Sequence, residues 1–177
     1  MRKNQLTIKP RFIAFVAATV DGRISLTNKT SPDWTSAEDW KFFQKFLSKA
    51  DAVIVGRNTY KAAAARLNKR NTYVISRHPE RIYKKKNVTF LNPNKVNLLE
   101  IFSGYKIVAI LGGNAIYGLM LKKNLLDEIF VTIEPLIFGR GKEMIRDVGK
   151  IKHLQLLSVK RLNKEGTLLL HYQVNKP

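Results

Sequence analysis

Hydrophobic positions in this chain fall into short continuous apolar runs separated by segments of helical periodicity, the pattern of a parallel sheet covered by helices on both faces. Phe12 to Ala18 is apolar at every position and predicts a strand buried on both sides. Strands are likewise predicted over Asp51 to Val55, Thr72 to Ile75, Val88 to Leu91 and Ile107 to Leu111. Trp40, Phe43, Phe46, Leu47 and Ala50 recur at helical spacing and predict a core-facing helix, entered through a turn at Ser31-Pro32-Asp33-Trp34. Thr35 and Glu38 have the spacing of a capping box, with Ser36 as the alternative cap. Glu38 and Asp39 then fall in the first turn, where the helix dipole favours acids.

Arg77 to Asn97 reads as a loop-rich connection containing Pro79 and a solvated lysine edge at Lys84-Lys85-Lys86. Leu98 to Phe102 predicts a short helix. Asp127 to Ile133 predicts a strand that Glu134-Pro135 interrupts before Leu136-Ile137-Phe138 resumes the apolar run. The last segment changes in kind. Thr167 to Val174 alternates, with Leu168, Leu170, Tyr172 and Val174 on one face, and Leu154 to Val159 precedes it. Asn163-Lys164-Glu165-Gly166 joins the two as a hairpin turn, so an antiparallel pair extends a mostly parallel sheet.

Three strand ends carry the candidate chemistry. At Gly112-Gly113-Asn114 an apolar run stops and a helix-like segment begins, continuing through Ala115 and Ile116 to Lys123. Glycines admit close backbone approach to an anion, and the first helical N–H groups point at it. Taken alone, the glycine pair is read equally well as a simple turn. Gly56-Arg57-Asn58-Thr59-Tyr60 repeats the junction with a cationic fork and a hydroxyl, and Ser76-Arg77 follows the third strand. In an open sheet the carboxyl ends of strands line one crevice, so these groups converge on an extended, phosphate-bearing ligand. Asp21, in the turn Val20-Asp21-Gly22-Arg23-Ile24, either caps that turn or reaches a substrate at the mouth of the first strand. Gly139-Arg140-Gly141-Lys142 lacks phosphate-loop spacing, with Glu143 where Ser or Thr is required, which excludes a nucleoside-triphosphatase reading.

Composition narrows the classes. A chain of 177 residues is expected to form one domain over residues 1–177. There are no cysteines, which excludes disulfides, thiolate metal sites and thiol nucleophiles, and the three histidines share no metal-ligand spacing, so no metal is expected. No run is long enough for a membrane span, Met1 to Lys9 does not read as a signal peptide, and with no cysteines a cytoplasmic location is expected. Lys and Arg number 32 against 13 acids, a formal charge of +19. That surplus attracts polyanions or steers anionic ligands, or else is spread over a solvated surface. No recognition helix, zinc finger or aromatic RNA-binding signature accompanies it, so nucleic-acid binding rests on charge alone.

With the junctions assembled, the chain resembles the dihydrofolate-reductase-like superfamily, and within it the stand-alone reductase domain of riboflavin biosynthesis. Thr19-Val20-Asp21-Gly22-Arg23-Ile24 is similar to that reductase's SLDGKI motif. Asp51 to Tyr60 is similar to the DAxxVGxxT and GRxTY patterns of the two branches, Val74-Ile75-Ser76-Arg77 to VxSR, and Leu111-Gly112-Gly113 with Leu126-Asp127-Glu128 to the GG…DE segment. The resemblance covers roughly residues 11–174 and implies an α/β fold: a mostly parallel central sheet flanked by helices, with a C-terminal antiparallel hairpin. It implies NADPH as hydride donor, with Gly112, Gly113 and the helix from Asn114, Ala115 and Ile116 at the pyrophosphate. Gly56, Arg57, Asn58, Thr59, Ser76 and Arg77 would lie towards the adenosine phosphates, and Ala17 and Ala18 near the nicotinamide. A 2′-phosphate needs cationic forks, which Arg57 and Arg77 supply. A cis Gly112-Gly113 bond is expected by the same analogy.

Two substrate classes follow from the resemblance. In the riboflavin branch the ribosyl group of an aminopyrimidine phosphate is reduced, and Asp21 and Arg23 would contact the sugar or its phosphate. In the folate branch an acid five residues after a tryptophan on the first helix anchors a pterin and assists protonation; Trp34 and Asp39 have that spacing, with Glu38 beside them. Asp39 and Asp21 are therefore the two candidate catalytic acids, since a carboxylate beside a C=N bond assists its protonation. Departures from the riboflavin pattern are Asn114 and Ala115 where an acid is usual, Arg23 for lysine, and Lys61-Ala62-Ala63-Ala64-Ala65 in place of a DNPxLT-like segment. The resemblance also suggests a homodimer, for which the apolar stripe of the C-terminal hairpin is one contact surface.

Overall fold

The computed structural model describes residues 9–27, 33–78 and 80–176; Ser31-Pro32 of the expected turn, Pro79 and most of the amino-terminal stretch lie outside them. In chain order the elements are β1 (Arg11–Thr19), β2 (Arg23–Ser25), α1 (Ala37–Leu47), β3 (Ala52–Gly56), α2 (Arg57–Leu67), β4 (Thr72–Ile75), β5 (Tyr83–Lys85) and β6 (Val88–Leu91). They continue with α3 (Leu98–Ile101), β7 (Ile107–Ile110), α4 (Asn114–Lys122), β8 (Glu128–Glu134), β9 (Lys142–Glu143), β10 (Leu154–Arg161) and β11 (Leu168–Val174).

Nine strands form one sheet in the order β10-β11-β8-β1-β7-β3-β4-β6-β5. The six from β8 to β6 run parallel. The β10–β11 hairpin joins β8 antiparallel, as the alternation of Thr167 to Val174 predicts. Successive side chains of a strand point to opposite faces, so continuous apolar runs serve two cores at once. Phe12, Ala14 and Val16 join Ile54, Ile110, Phe102 and Met120 on the α4 side. Ile13 and Phe15 join Val53, Val55, Leu47 and Leu67 on the side of α1 and α2.

Register positions the site. β1 pairs with β7 only as far as Ala14, but with β8 through to Thr19. Its carboxyl-terminal half therefore borders an opening on the β7 side, where Ala17 is half-buried between buried neighbours. Across that opening the Tyr117 hydroxyl donates to the Phe15 carbonyl at 2.5 Å.

Three local expectations change. The cap of α1 is Ser36, whose Oγ accepts from the Asp39 amide at 3.3 Å, rather than Thr35 in a box with Glu38. Trp40 lies at the rim of its helix stripe, 38% exposed, with the Arg66 guanidinium 4.9 Å above its ring. The apolar run at Leu136-Ile137-Phe138 does not resume a strand: Ile137 is 74% exposed, because the chain leaves the sheet at Pro135 to pack its backbone on the β1–β2 turn. The lysine run is an edge, as read, with Tyr83 to Lys85 pairing antiparallel to β6.

Candidate functional site

Two helix starts are joined at the carboxyl ends of β3 and β7. Gly56 and Gly113 occupy the N-cap positions of α2 and α4, and neither contributes a capping side chain. The Gly56 amide donates to the Gly112 carbonyl at 2.7 Å, which locks the two starts together. A Cβ on Gly56 would lie 3.1 Å from Ile116 Cγ1, and one on Gly113 would lie 3.6 Å from Thr59 Oγ1. Only glycine leaves this wall bare backbone. The Gly112-Gly113 bond is cis, as expected.

The individual residues divide by role. Ile116 is buried under Gly56, and its amide already donates to Gly113 O at 2.8 Å. The Asn114 side chain accepts from the Ala115 amide at 2.9 Å. The first turn of α2 at Arg57, Asn58 and Thr59 carries the N–H groups that a helix start leaves without intrahelical partners, and Gly56 offers no side chain to cap them. Arg57 and Arg77 are exposed, and neither has an acidic partner among the described residues. Ser76 Oγ accepts from the His78 amide at 3.3 Å, and the Arg77 carbonyl accepts from Asn92 Nδ2 at 2.9 Å. Asn92 is buried and also accepts from the Asn94 amide at 3.1 Å, so it braces the Arg77 loop. The Asn-Pro-Asn run that signals it reads only as a loop.

On the other side of β1, α1 brings Asp39 against β8. Thr132 Oγ1 donates to Asp39 Oδ1 at 2.6 Å. Burial pushes the Asp39 carboxyl above its ordinary range, the Glu134 charge pushes the same way, and hydrogen bonds from Thr132 and Thr35 oppose them. Glu134, 3% exposed, accepts from Ser36 N at 2.7 Å, Ser36 Oγ at 2.9 Å and Thr167 Oγ1 at 2.7 Å. Glu38 is exposed and accepts at 3.4 Å from Asn163 Nδ2 in the hairpin turn.

Asp21 is differently employed. Its carboxylate accepts from Thr19 Oγ1 at 2.5 Å, Phe138 N at 3.1 Å and Gly139 N at 2.9 Å. The Thr19 hydroxyl holds the carboxyl below its usual range; burial opposes, and the two loop amides reinforce it. Arg23 turns to the same loop, donating to Gly141 O at 3.3 Å with its Nε 3.9 Å from Asp21. The loop in turn seats Phe138 edge-on against Trp34, ring centroids 5.1 Å apart, and Trp34 Nε1 is buried without a partner among the described residues. Asp39 and Asp21 therefore have separate partners, Asp39 on β8 and Asp21 in the β1–β2 turn and the loop after β8. Among the described residues no three His, Asp or Glu could together hold a metal ion, and no helix is long and apolar enough to cross a membrane.

Comparison with known proteins gives a consistent picture. Residues 12–135 match the dihydrofolate reductase family. The chain is 25% identical to the uncharacterized protein YyaP of Bacillus subtilis, over 93% of this chain and 95% of that one. Its fold is similar to a putative riboflavin biosynthesis protein from Shewanella (TM-score 0.73, 18% identity, 94% of this chain and 99% of that one). It is also similar to the dihydrofolate reductase of Enterococcus faecalis solved with NADP(H) (TM-score 0.68, 21% identity, 97% and 100%).

Proposed function

The chain belongs to the dihydrofolate reductase family, and from that premise we propose that it is an NADPH-dependent reductase of a C=N bond in a pyrimidine or pterin substrate. The observation that supports the reading is the bare glycine wall of two helix starts tied by Gly56 and Gly112, with Arg57 opening α2 and Arg77 following the neighbouring strand β4, neither having an acidic partner among the described residues. The first-turn amides of α2 and the Gly113-Asn114 backbone would hold the pyrophosphate, Arg57, Ser76 and Arg77 the adenosine phosphates, and Ala17 and Ala18 would admit the nicotinamide. When bound, the reduced nicotinamide supplies hydride to the carbon of the C=N bond. Asp39 holds the proton for the nitrogen. Its burial beside Glu134 keeps that proton on the carboxyl to a higher pH than an exposed aspartate would. Asp21 acts through the loop, fixing Phe138 and hence Trp34, which with Arg23 and Glu38 would border the substrate.

The substrate assigned first is the riboflavin-type aminopyrimidine ribotide, 5-amino-6-(5-phosphoribosylamino)uracil, on the order of the Asp21-Gly22-Arg23, Ser76-Arg77 and Gly112-Gly113 motifs. The Asp39–Thr132 bond favours a second reading, a pterin anchored by the buried acid. Loss of nicotinamide absorbance with each of the two substrates separates them. The +19 charge serves to steer the anionic cofactor and substrate. We place the enzyme in the cytoplasm, as one reductase domain over residues 1–177. It would pair as a homodimer through the free edge strand β10, where Leu154, Leu156, Leu157 and Val159 are exposed.

A further inference from the structure

Ser36 to Asp39 has the geometry of a capping box left half made. In a complete box the acid at the third helical position reaches back to the backbone amide of the cap residue. Here Asp39 holds that third position, and the Ser36 side chain accepts from its amide as the motif requires. The return bond is missing. The Ser36 amide donates instead to Glu134 at 2.7 Å, a residue 98 positions later in the chain at the end of β8.

We propose that Glu134 is a positioning residue for the reduction: it takes over the cap bond that Asp39 would otherwise make, and so frees the Asp39 carboxyl to face the substrate as an acid. The proposal rests on the reading of Asp39 as proton donor. Geometry supports each step. Thr132 and Glu134 are two apart on β8 and so share a face, the one covered by α1. Thr132 takes one Asp39 oxygen while Glu134 grips the N-cap one turn away. The third donor to Glu134, Thr167 Oγ1, comes from the hairpin turn, so the acid, the helix start and the C-terminal hairpin are fastened at one buried point. Three donors aimed at one buried side chain suit a carboxylate, which only accepts.

The same arrangement puts two acids side by side, and the Glu134 charge adds to burial, the larger cause, in pushing the Asp39 carboxyl up. The other titratable groups on this face are spoken for or distant in register. Glu38, the neighbour on α1, meets Asn163. His171 of β11 donates to the Glu128 carboxylate of β8, further down the strand. Glu128 also binds Arg11. Lys160 of β10 lies two strands away, on the register line through Leu169 and Thr132. Among the described residues no Lys, Arg or His forms an ion pair with Asp39 or Glu134.

The test is a pH titration of the full chain with carbon-13 at the Asp and Glu carboxyls and nitrogen-15 at the amides, Asp39 being assigned by loss of its signal in Asp39→Asn. In Glu134→Ala the Ser36 amide loses its acceptor and takes the Asp39 carboxyl, so the Ser36 amide shifts follow the Asp39 titration; in Glu134→Gln, whose side-chain carbonyl still accepts from Ser36, they do not. If Glu134→Ala does not fold, the wild-type protein decides the matter: its Ser36 amide shifts stay put while Asp39 titrates, because Glu134 holds that amide. Ser36 amide shifts that ignore the Asp39 titration in folded Glu134→Ala, or that follow it in the wild type, overturn the proposal. Undiminished NADPH oxidation by Asp39→Asn overturns instead the proton-donor reading beneath it, while the Ser36 amide still reports which acid holds the cap.

Discussion

The Gly56 amide donates to the Gly112 carbonyl at 2.7 Å, and this bond makes one continuous wall from the starts of α2 and α4. The two glycines belong to different strand–helix units 56 positions apart in number, yet β3 and β7 are hydrogen-bonded neighbours. What two separate motifs imply about anion binding thereby becomes a property of one crevice.

In the proposed function the exposed Arg57 and Arg77 select the 2′-phosphate of the cofactor. Arg57→Ala and Arg77→Ala should each weaken NADPH binding about tenfold, the low end for a charged hydrogen bond since both side chains are exposed. NADH binding should be unchanged. Fluorescence titration of each variant with the two nucleotides checks this.

With Asp39 as the proposed proton source, Asp39→Asn should lower turnover by roughly 10²–10⁴-fold without altering NADPH affinity. Because the folded-state pKa of Asp39 is raised above its unfolded value, the folded state holds a proton that the unfolded state has lost between the two. Stability therefore falls as pH rises through that window, and the penalty is complete above the folded pKa. Asp39→Asn should melt higher than wild type at neutral pH, and wild-type turnover should decline as pH climbs through the Asp39 pKa.

Asp21 works in the opposite sense. Its pKa is lowered in the folded state, so its contribution is present above the unfolded pKa and is lost as pH falls through the folded one. Asp21→Ala removes the acceptor for Phe138 N and Gly139 N and frees the loop that seats Trp34. The expected result is a raised KM for substrate with NADPH affinity unchanged, and a flatter acid limb in the stability profile, read by steady-state kinetics and by melts across pH.

Gly118 is required by packing rather than chemistry. A Cβ there would lie 1.6 Å from the Arg146 carbonyl oxygen, which is backbone and cannot step aside. Gly118→Ala should cost about 1–3 kcal/mol, or more, of stability by forcing α4 away from the segment after β9. A denaturant melt measures it.

Much of this was legible in the residues themselves. β1, β3, β4 and β7 are buried on both faces, so apolar runs announce them without ambiguity, and the glycines that start α2 and α4 stand directly after two of those runs. The start of α1 was harder for a physical reason. Thr35 and Ser36 are adjacent possible caps, Glu38 and Asp39 adjacent possible partners, and local spacing fits either pair. The choice is made by Glu134, which arrives from β8 and binds Ser36. Thr132, Asn92 and Thr167 escape a local reading in the same way: their donors and acceptors are supplied by chain that is distant in number. Asp21 was placed at the right strand end, but only the fold shows its oxygens already engaged by Thr19, Phe138 and Gly139.

The central claim is that the crevice beside Gly56 and Gly112 selects a reduced dinucleotide bearing a 2′-phosphate. Calorimetric titration of the full chain with NADPH and with NADH, at one fixed physiological salt concentration, tests it most directly. The account predicts saturable one-to-one binding of NADPH at least about tenfold tighter than NADH, the preference a single charge-assisted contact supplies. Equal affinity for the two nucleotides, or no saturable binding of either, would contradict it.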